Sequence, residues 1–110
     1  FFEYYEQDLE PLFTRSHDYL LTYNLVAIKT ICECLQIPFL ENHTTVFEKE
    51  PQSTNDHRDL IAPKAPKNFD CPEYQQVFGD RHGFIPNLSI LDLLFNEGPN
   101  AVAVLKNAVV

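Results

Sequence analysis

The sequence predicts a mainly α protein, α+β only through one or two very short strands. It would form a compact helical half-domain with a proline-rich connector. Three observations carry that reading. Apolar residues recur at three- and four-residue spacing near both ends of the chain. Prolines and glycines punctuate the limits of those stretches. Only Thr44–Phe47 is short, β-branched and aromatic in the manner of a brief strand. At 110 residues the chain is too short for two independent cores, so 1–110 reads as one domain.

Phe2, Tyr5, Leu9, Leu12 and Phe13 form the first stripe, with Glu3, Glu6, Gln7 and Glu10 off it. Pro11 interrupts it, because proline fits the first turn of a helix but not its interior. A helix to about Asp8 is expected, then a turn or a second short helical segment to Phe13. Ser16 is placed to cap a long helix running to Leu35. Its stripe is Leu20, Tyr23, Ala27, Ile31 and Leu35, widened by Ile28 and Cys34. Ile37 precedes Pro38, and a residue before proline avoids the helical region, so the helix stops there.

Residues 49–55 are polar and turn-like. Asp56 to Ile61 suits a short helix capped by Asn55 or Asp56 and closed by Pro63. The stretch 62–68 carries two prolines and two lysines and reads as an extended connector. Tyr74–Phe78 reads as a short extended or irregular piece, and Gly79 and Gly83 bracket a turn containing His82. Ser89 begins the next helix, with Asp92 suiting its positive end and Leu93 and Leu94 facing inward. Gly98 stops it, and Pro99 opens a final helix. The apolar run 101–110 needs cover from protein.

Charge narrows the function classes. The net charge is −8, from 16 acidic and 8 basic side chains, and no basic run exists to hold phosphates. Nucleic acid and anionic membrane surfaces are therefore poor partners. No apolar run is long enough to span a bilayer. The three cysteines, Cys32, Cys34 and Cys71, are odd in number, and residues two apart on a helix do not face each other. That favours a reduced, cytoplasmic location over a disulfide framework, and the spacing lacks the paired knuckle of a zinc site. No metal-ligand set is indicated and the cofactor is left unknown: there is no GxGxxG, HExxH or GxSxG. The histidines, His17, His43, His57 and His82, are widely spaced, as surface or core histidines usually are.

Two groups of polar residues remain. A helix from Ser89 puts Asp92 and Asn96 one turn apart on the same side, as one ridge. The ridge either caps and braces the helix or also lines a ligand cleft. The run Asp56-His57-Arg58-Asp59 either makes surface ion pairs or uses Arg58 to clamp an anionic substrate. The catalytic candidates are Arg58 with Asp59, and Asp92 with Asn96. An Asp acts as general base only where its surroundings tune its pKa. Asn24 interrupts the long helix stripe, as a structural hydrogen-bonding residue or as a pocket-lining one.

Tyr74-Gln75-Gln76-Val77-Phe78 and the run Gly83-Phe84-Ile85-Pro86-Asn87-Leu88-Ser89-Ile90-Leu91-Asp92-Leu93-Leu94-Phe95-Asn96-Glu97-Gly98-Pro99 resemble the C-terminal signature of the WbqC-like family. Phe1-Phe2-Glu3-Tyr4-Tyr5, Tyr23-Asn24 and Arg58-Asp59 followed by Ile61-Ala62-Pro63-Lys64 look similar to the same family. Gln75 departs from it, standing where an aromatic is common. The family is mostly bacterial, common in Bacteroidetes, and named after a gene of surface-polysaccharide (O-antigen) clusters. Some members are labelled transferases, including aminoacyl or glycine transfer to sugars. The resemblance implies an acyl or aminoacyl transferase acting on a sugar or nucleotide-sugar. It points to Asn24, Arg58, Asp59, Tyr74, Gln76, Asn87, Ser89, Asp92 and Asn96 as signature positions. A non-catalytic scaffold for another biosynthetic enzyme is the alternative, with a homo-oligomer as a further possible assembly. The family's N-terminal stretch has no counterpart here, and the aromatic opening has no initiator Met. The chain is thus expected to be the C-terminal half of a longer protein, with the N-terminal half as its partner.

Overall fold

The computed structural model describes residues 1–61 and 70–108. The expected connector at 62–68, and the closing Val109 and Val110, lie outside the described residues. The protein is mainly helical, and no sheet forms among the described residues.

Helix α1 (Phe2–Leu9) and the single turn α2 (Pro11–Thr14) meet at Glu10, with Pro11 at the first position of α2. Helix α3 (Leu20–Leu35) follows. It starts four residues after Ser16, which is exposed and caps nothing. Arg15 and Tyr19 are extended instead, and the His17 ring packs edge-on against Tyr23 at 4.9 Å. That contact lays the 15–19 segment along the helix start rather than coiling it in.

The end of α3 is set by Gln36, which adopts the left-handed conformation at φ 60°. Its amide donates to Glu33, and that of Ile37 donates to Cys32 at 3.0 Å, closing a Schellman motif. The stop therefore comes one residue before the position that Pro38 restricts.

Thr44–Phe47 forms no strand. All four residues are exposed, and a β-prone run without a partner edge has no ladder to join. The expected helix at Asp56 shortens to a 3₁₀ turn, Arg58–Ile61. Asp56 does act at its entrance, accepting from the Arg58 amide at 3.1 Å.

After an irregular stretch from Cys71, α4 (Gly79–His82) makes one turn and closes at Gly83, whose φ is +69°. Helix α5 (Ile90–Glu97) is capped by the Ser89 hydroxyl, which accepts from the Leu91 amide at 3.1 Å. Gly98 ends it at φ +55°. A Cβ there would also lie 2.6 Å from the Phe1 ring, so the glycine serves both the turn and the close approach of the N-terminal segment. A 3₁₀ turn (Gly98–Asn100) with Pro99 in its first positions leads into α6 (Ala101–Lys106).

The core joins Tyr5 and Leu9 of α1, Leu35 of α3, Leu93 and Leu94 of α5, and Ala101 of α6. Leu94 and Ala101 are fully buried. The Phe2 ring meets Phe95 edge-on at 5.3 Å, and the Phe1 nitrogen donates to the Phe95 carbonyl. α1 therefore covers α5, while α6 covers part of its own apolar run with Val102 and Val104 half-buried. The stripe of α3 enters the core only at its C-terminal end. Leu20 and Leu21 at its start are 73% and 62% exposed.

Candidate functional site

The first turn of α5 is where the polar residues converge. Because Ser89 caps the helix, Asp92 points from its first turn and Asn96 sits one turn on. Asn96 Nδ2 donates back to the Asp92 carbonyl at 2.7 Å and to its carboxylate Oδ1 at 3.3 Å. The same carboxylate is met from outside the helix. Tyr74 Oη donates to Asp92 Oδ2 at 2.6 Å, and Gln76 Nε2 reaches it at 3.4 Å. Burial, then the Asp92 bond, pushes the Tyr74 phenol up to about 12. The phenol thus stays a donor across the neutral range.

Gln76 has a second task. Its Nε2 donates to the Ile85 carbonyl at 2.8 Å, and its Oε1 accepts from the Ile85 amide at 3.0 Å. One side-chain amide thereby imitates a pair of backbone ladder bonds. It pins the 83–88 loop against the irregular segment before α4. The Tyr74 ring braces the same loop, edge-on to Phe84 at 5.3 Å. Asn87 sits in that loop with φ 59°, a left-handed conformation that asparagine tolerates better than most side chains.

Clefts flank this network. A mostly apolar cleft of about 210 Å³ lies between the Tyr74 segment, α5 and α6; Tyr74, Asn87 and Ser89 line it together with Cys71, Leu93 and Val104. On the other side, Gln76, His82 and Asp92 line a cleft of about 280 Å³ with Phe78, Ile85 and Leu88. Leu88 borders both. Tyr74 lines the first and Asp92 the second, so their hydrogen bond links the two linings, and of these two only the second carries ionisable side chains from both α4 and α5. A third cleft, of about 550 Å³, is lined by Tyr74, Gln76, Asp80 and Phe84.

The remaining sequence candidates lie elsewhere. Arg58 pairs with Asp56, Nε to Oδ1 at 2.8 Å and Nη2 to Oδ2 at 2.6 Å. Its Nη2 also donates to the Glu48 and Lys49 carbonyls, and its guanidinium lies 5.5 Å from the Phe47 ring centroid. It organises its own loop and lines a separate cleft with Phe47 and Asp56. Asp59 is exposed on the 3₁₀ turn. Asn24 is exposed on α3 and is among the lining residues of neither cleft beside Asp92. Of the nine candidates, Tyr74, Gln76, Asp92 and Asn96 share one network, Asn87 and Ser89 adjoin it, and Asn24, Arg58 and Asp59 do not. Sequence reasoning did not single out His82 and Phe84. Their only signal is position beside Gly83, which by itself marks a turn.

Among the described residues, no group of three or more His, Cys, Asp or Glu side chains could hold a metal, and no helix is long and apolar enough to cross a membrane. The three cysteines are free, and burial, ahead of Asp8 and Glu33, pushes the Cys34 thiol up.

The fold and site define a small helical unit in which one helix carries a braced carboxylate at the edge of a cleft. Residues 65–104 match the WbqC-like protein family. The matched segment contains Tyr74, Gln76, Asn87, Ser89, Asp92 and Asn96, and excludes Asn24, Arg58 and Asp59. No curated protein and no solved structure gives a significant match.

Proposed function

We propose that this chain takes part in transferring an acyl or aminoacyl group to a sugar or nucleotide-sugar during bacterial surface-polysaccharide (O-antigen) biosynthesis, in the cytoplasm. The observation that carries the reading is the Tyr74–Asp92 hydrogen bond within the segment that matches the WbqC-like family, which links the lining of an apolar cleft to that of the cleft carrying His82 and Asp92. An acyl-transfer site needs such a pairing: an apolar hollow for the acyl group and oriented polar groups for the acceptor. Because Tyr74 spends its proton on Asp92, its oxygen lone pairs are left to accept a sugar hydroxyl. Asn87, Ser89 and Asn96 stand beside it as further acceptor contacts. Arg58, over Phe47 at its own exposed cleft, is the proposed holder of an anionic group, and Asp59, exposed on the adjoining 3₁₀ turn, is the second candidate base. The N-terminal half of a longer protein is the proposed partner that completes the site.

The test is acetyl transfer from acetyl-coenzyme A to a panel of uridine diphosphate sugars by the full-length protein, read by mass spectrometry. Asp92→Asn and Arg58→Ala are expected to remove most of the transfer. Wild-type transfer by both variants would sink the site assignment.

A second reading, a non-catalytic binding partner of a biosynthetic enzyme, has its own observation. Phe13, Tyr19, Leu20 and Leu21 are all more than half exposed on α2, the start of α3 and the segment joining them. Light scattering tests the simplest version, a homo-oligomer. Self-association that Leu21→Glu abolishes supports it; a monomer at every concentration opposes it.

A further inference from the structure

The cleft of about 280 Å³ beside Asp92 carries three polar side chains: Gln76, His82 and Asp92. Two are already committed. Both ends of the Gln76 amide bond to Ile85. The Asp92 carboxylate receives Tyr74, Gln76 and Asn96. A carboxylate so engaged holds other groups in place, and taking a proton would break up the network that positions it. The His82 ring has no hydrogen-bond partner among the described residues. It is exposed at the end of α4, which Gly83 closes by turning the chain at φ +69°.

We propose that His82, and not Asp92, is the proton-transfer residue of this cleft, with Asp92 and Tyr74 as positioning residues. The proposal rests on the acyl-transfer reading above. The imidazole takes the proton of the acceptor hydroxyl as that oxygen forms its bond to the acyl carbon. The bond from the acyl carbon to the leaving group of an activated ester or thioester donor then breaks. Its electron pair goes to the leaving group, which receives the proton from the imidazolium. An imidazole suits both steps because its ordinary titration range spans neutrality and its neutral ring offers one free lone pair. The charged groups around it are Asp80 and Arg81 on its own turn and Asp92 from α5.

The experiment uses p-nitrophenyl acetate as the acyl donor, with the full-length protein and the variants His82→Gln, His43→Gln and His57→Gln. All three histidines are exposed, so each variant keeps its fold, and thermal unfolding verifies that. His82→Gln is expected to lower the second-order rate by about tenfold or more, and the other two to leave it nearly unchanged. The pH dependence of the wild-type rate should be lost in His82→Gln. Equal losses from all three variants, or an unchanged pH profile in His82→Gln, would overturn the assignment. Acetyl transfer to water but to no uridine diphosphate sugar would remove the sugar-transfer reading and leave His82 standing. Sugar acetylation that survives His82→Gln would do the reverse.

Discussion

The Tyr74 hydroxyl and the Asp92 carboxylate meet at 2.6 Å and join the irregular segment before α4 to the first turn of α5. No other hydrogen bond from a side chain to a charged group spans as much of the chain among the described residues. It ties the 74–88 region to the helix.

Tyr74→Phe keeps the ring and removes the donor. The expected cost is about 1–2 kcal/mol, the range for a half-buried bond to a charged acceptor, read as a lower urea midpoint at constant slope. The phenol sits at about 12 in the fold against an ordinary 10.0. The folded value is the higher, so the contribution is complete below about pH 10 and is lost as pH rises towards 12. Stability measured against pH should therefore fall on that alkaline limb in the wild type and fall less in Tyr74→Phe. Superimposable limbs would show that neither burial nor the Asp92 bond holds the phenol up in solution.

Ser89→Ala leaves the Leu91 amide without its cap. A loss of about 1 kcal/mol is expected, with Ser89→Gly costing only a few tenths. A chemical denaturation series on the two variants separates the lost hydrogen bond from a general disturbance of the cleft. Equal losses in both would point to packing.

Gln36→Gly should stabilise the protein. Gln36 occupies a left-handed position at φ 60°, where glycine carries no Cβ penalty. Against that stands the added freedom of glycine in the unfolded chain. The left-handed penalty of about 1–2 kcal/mol outweighs that freedom, so the net expectation is a gain of about 0.5 kcal/mol. A lowered thermal midpoint would mean that the glutamine side chain has a contact worth more than the strain.

In the fold, as distinct from the transfer reaction, Arg58→Gln should loosen the 44–56 loop and leave the helical core intact. Its hydrogen bonds, side chain first and then backbone, hold the Asp56 carboxyl down at about 2 from 3.8. The folded value is the lower, so that contribution is present above about pH 4 and is lost as pH falls towards 2. The pair is exposed, so salt weakens it. Hydrogen exchange across 44–56 should quicken in Arg58→Gln while α5 stays protected. Unchanged exchange there would show that the carbonyl contacts to Glu48 and Lys49 do not order the loop.

Much of the site was legible because it is local. Ser89, Asp92 and Asn96 lie one turn apart on one helix, and i to i+3 and i+4 geometry puts such residues together whatever surrounds them. Gln76 and Tyr74 could be singled out by type and family resemblance, but their meeting with Asp92 depends on how the 83–88 loop folds back. Arg58 shows the opposite case. Its spacing from Asp59 suggested a joint site, yet Asp56, two residues upstream, was the better-placed partner.

The sequence by itself determined the α5 cap at Ser89, the stop at Gly98, the Pro11 break and the mainly helical class. Each follows from dihedral preferences and hydrogen bonds among near neighbours, which need no tertiary context. Tertiary structure decided the rest. Thr44–Phe47 needed a partner strand to become one and had none among the described residues. The long stripe of α3 promised burial along its whole length, yet only its C-terminal end reached the core. Tyr74 found Asp92 because a glutamine amide and two left-handed residues, Asn87 and Gly83, bent the intervening chain back onto the helix. A contact between distant positions is set by which faces pack, and that is a property of the assembled fold.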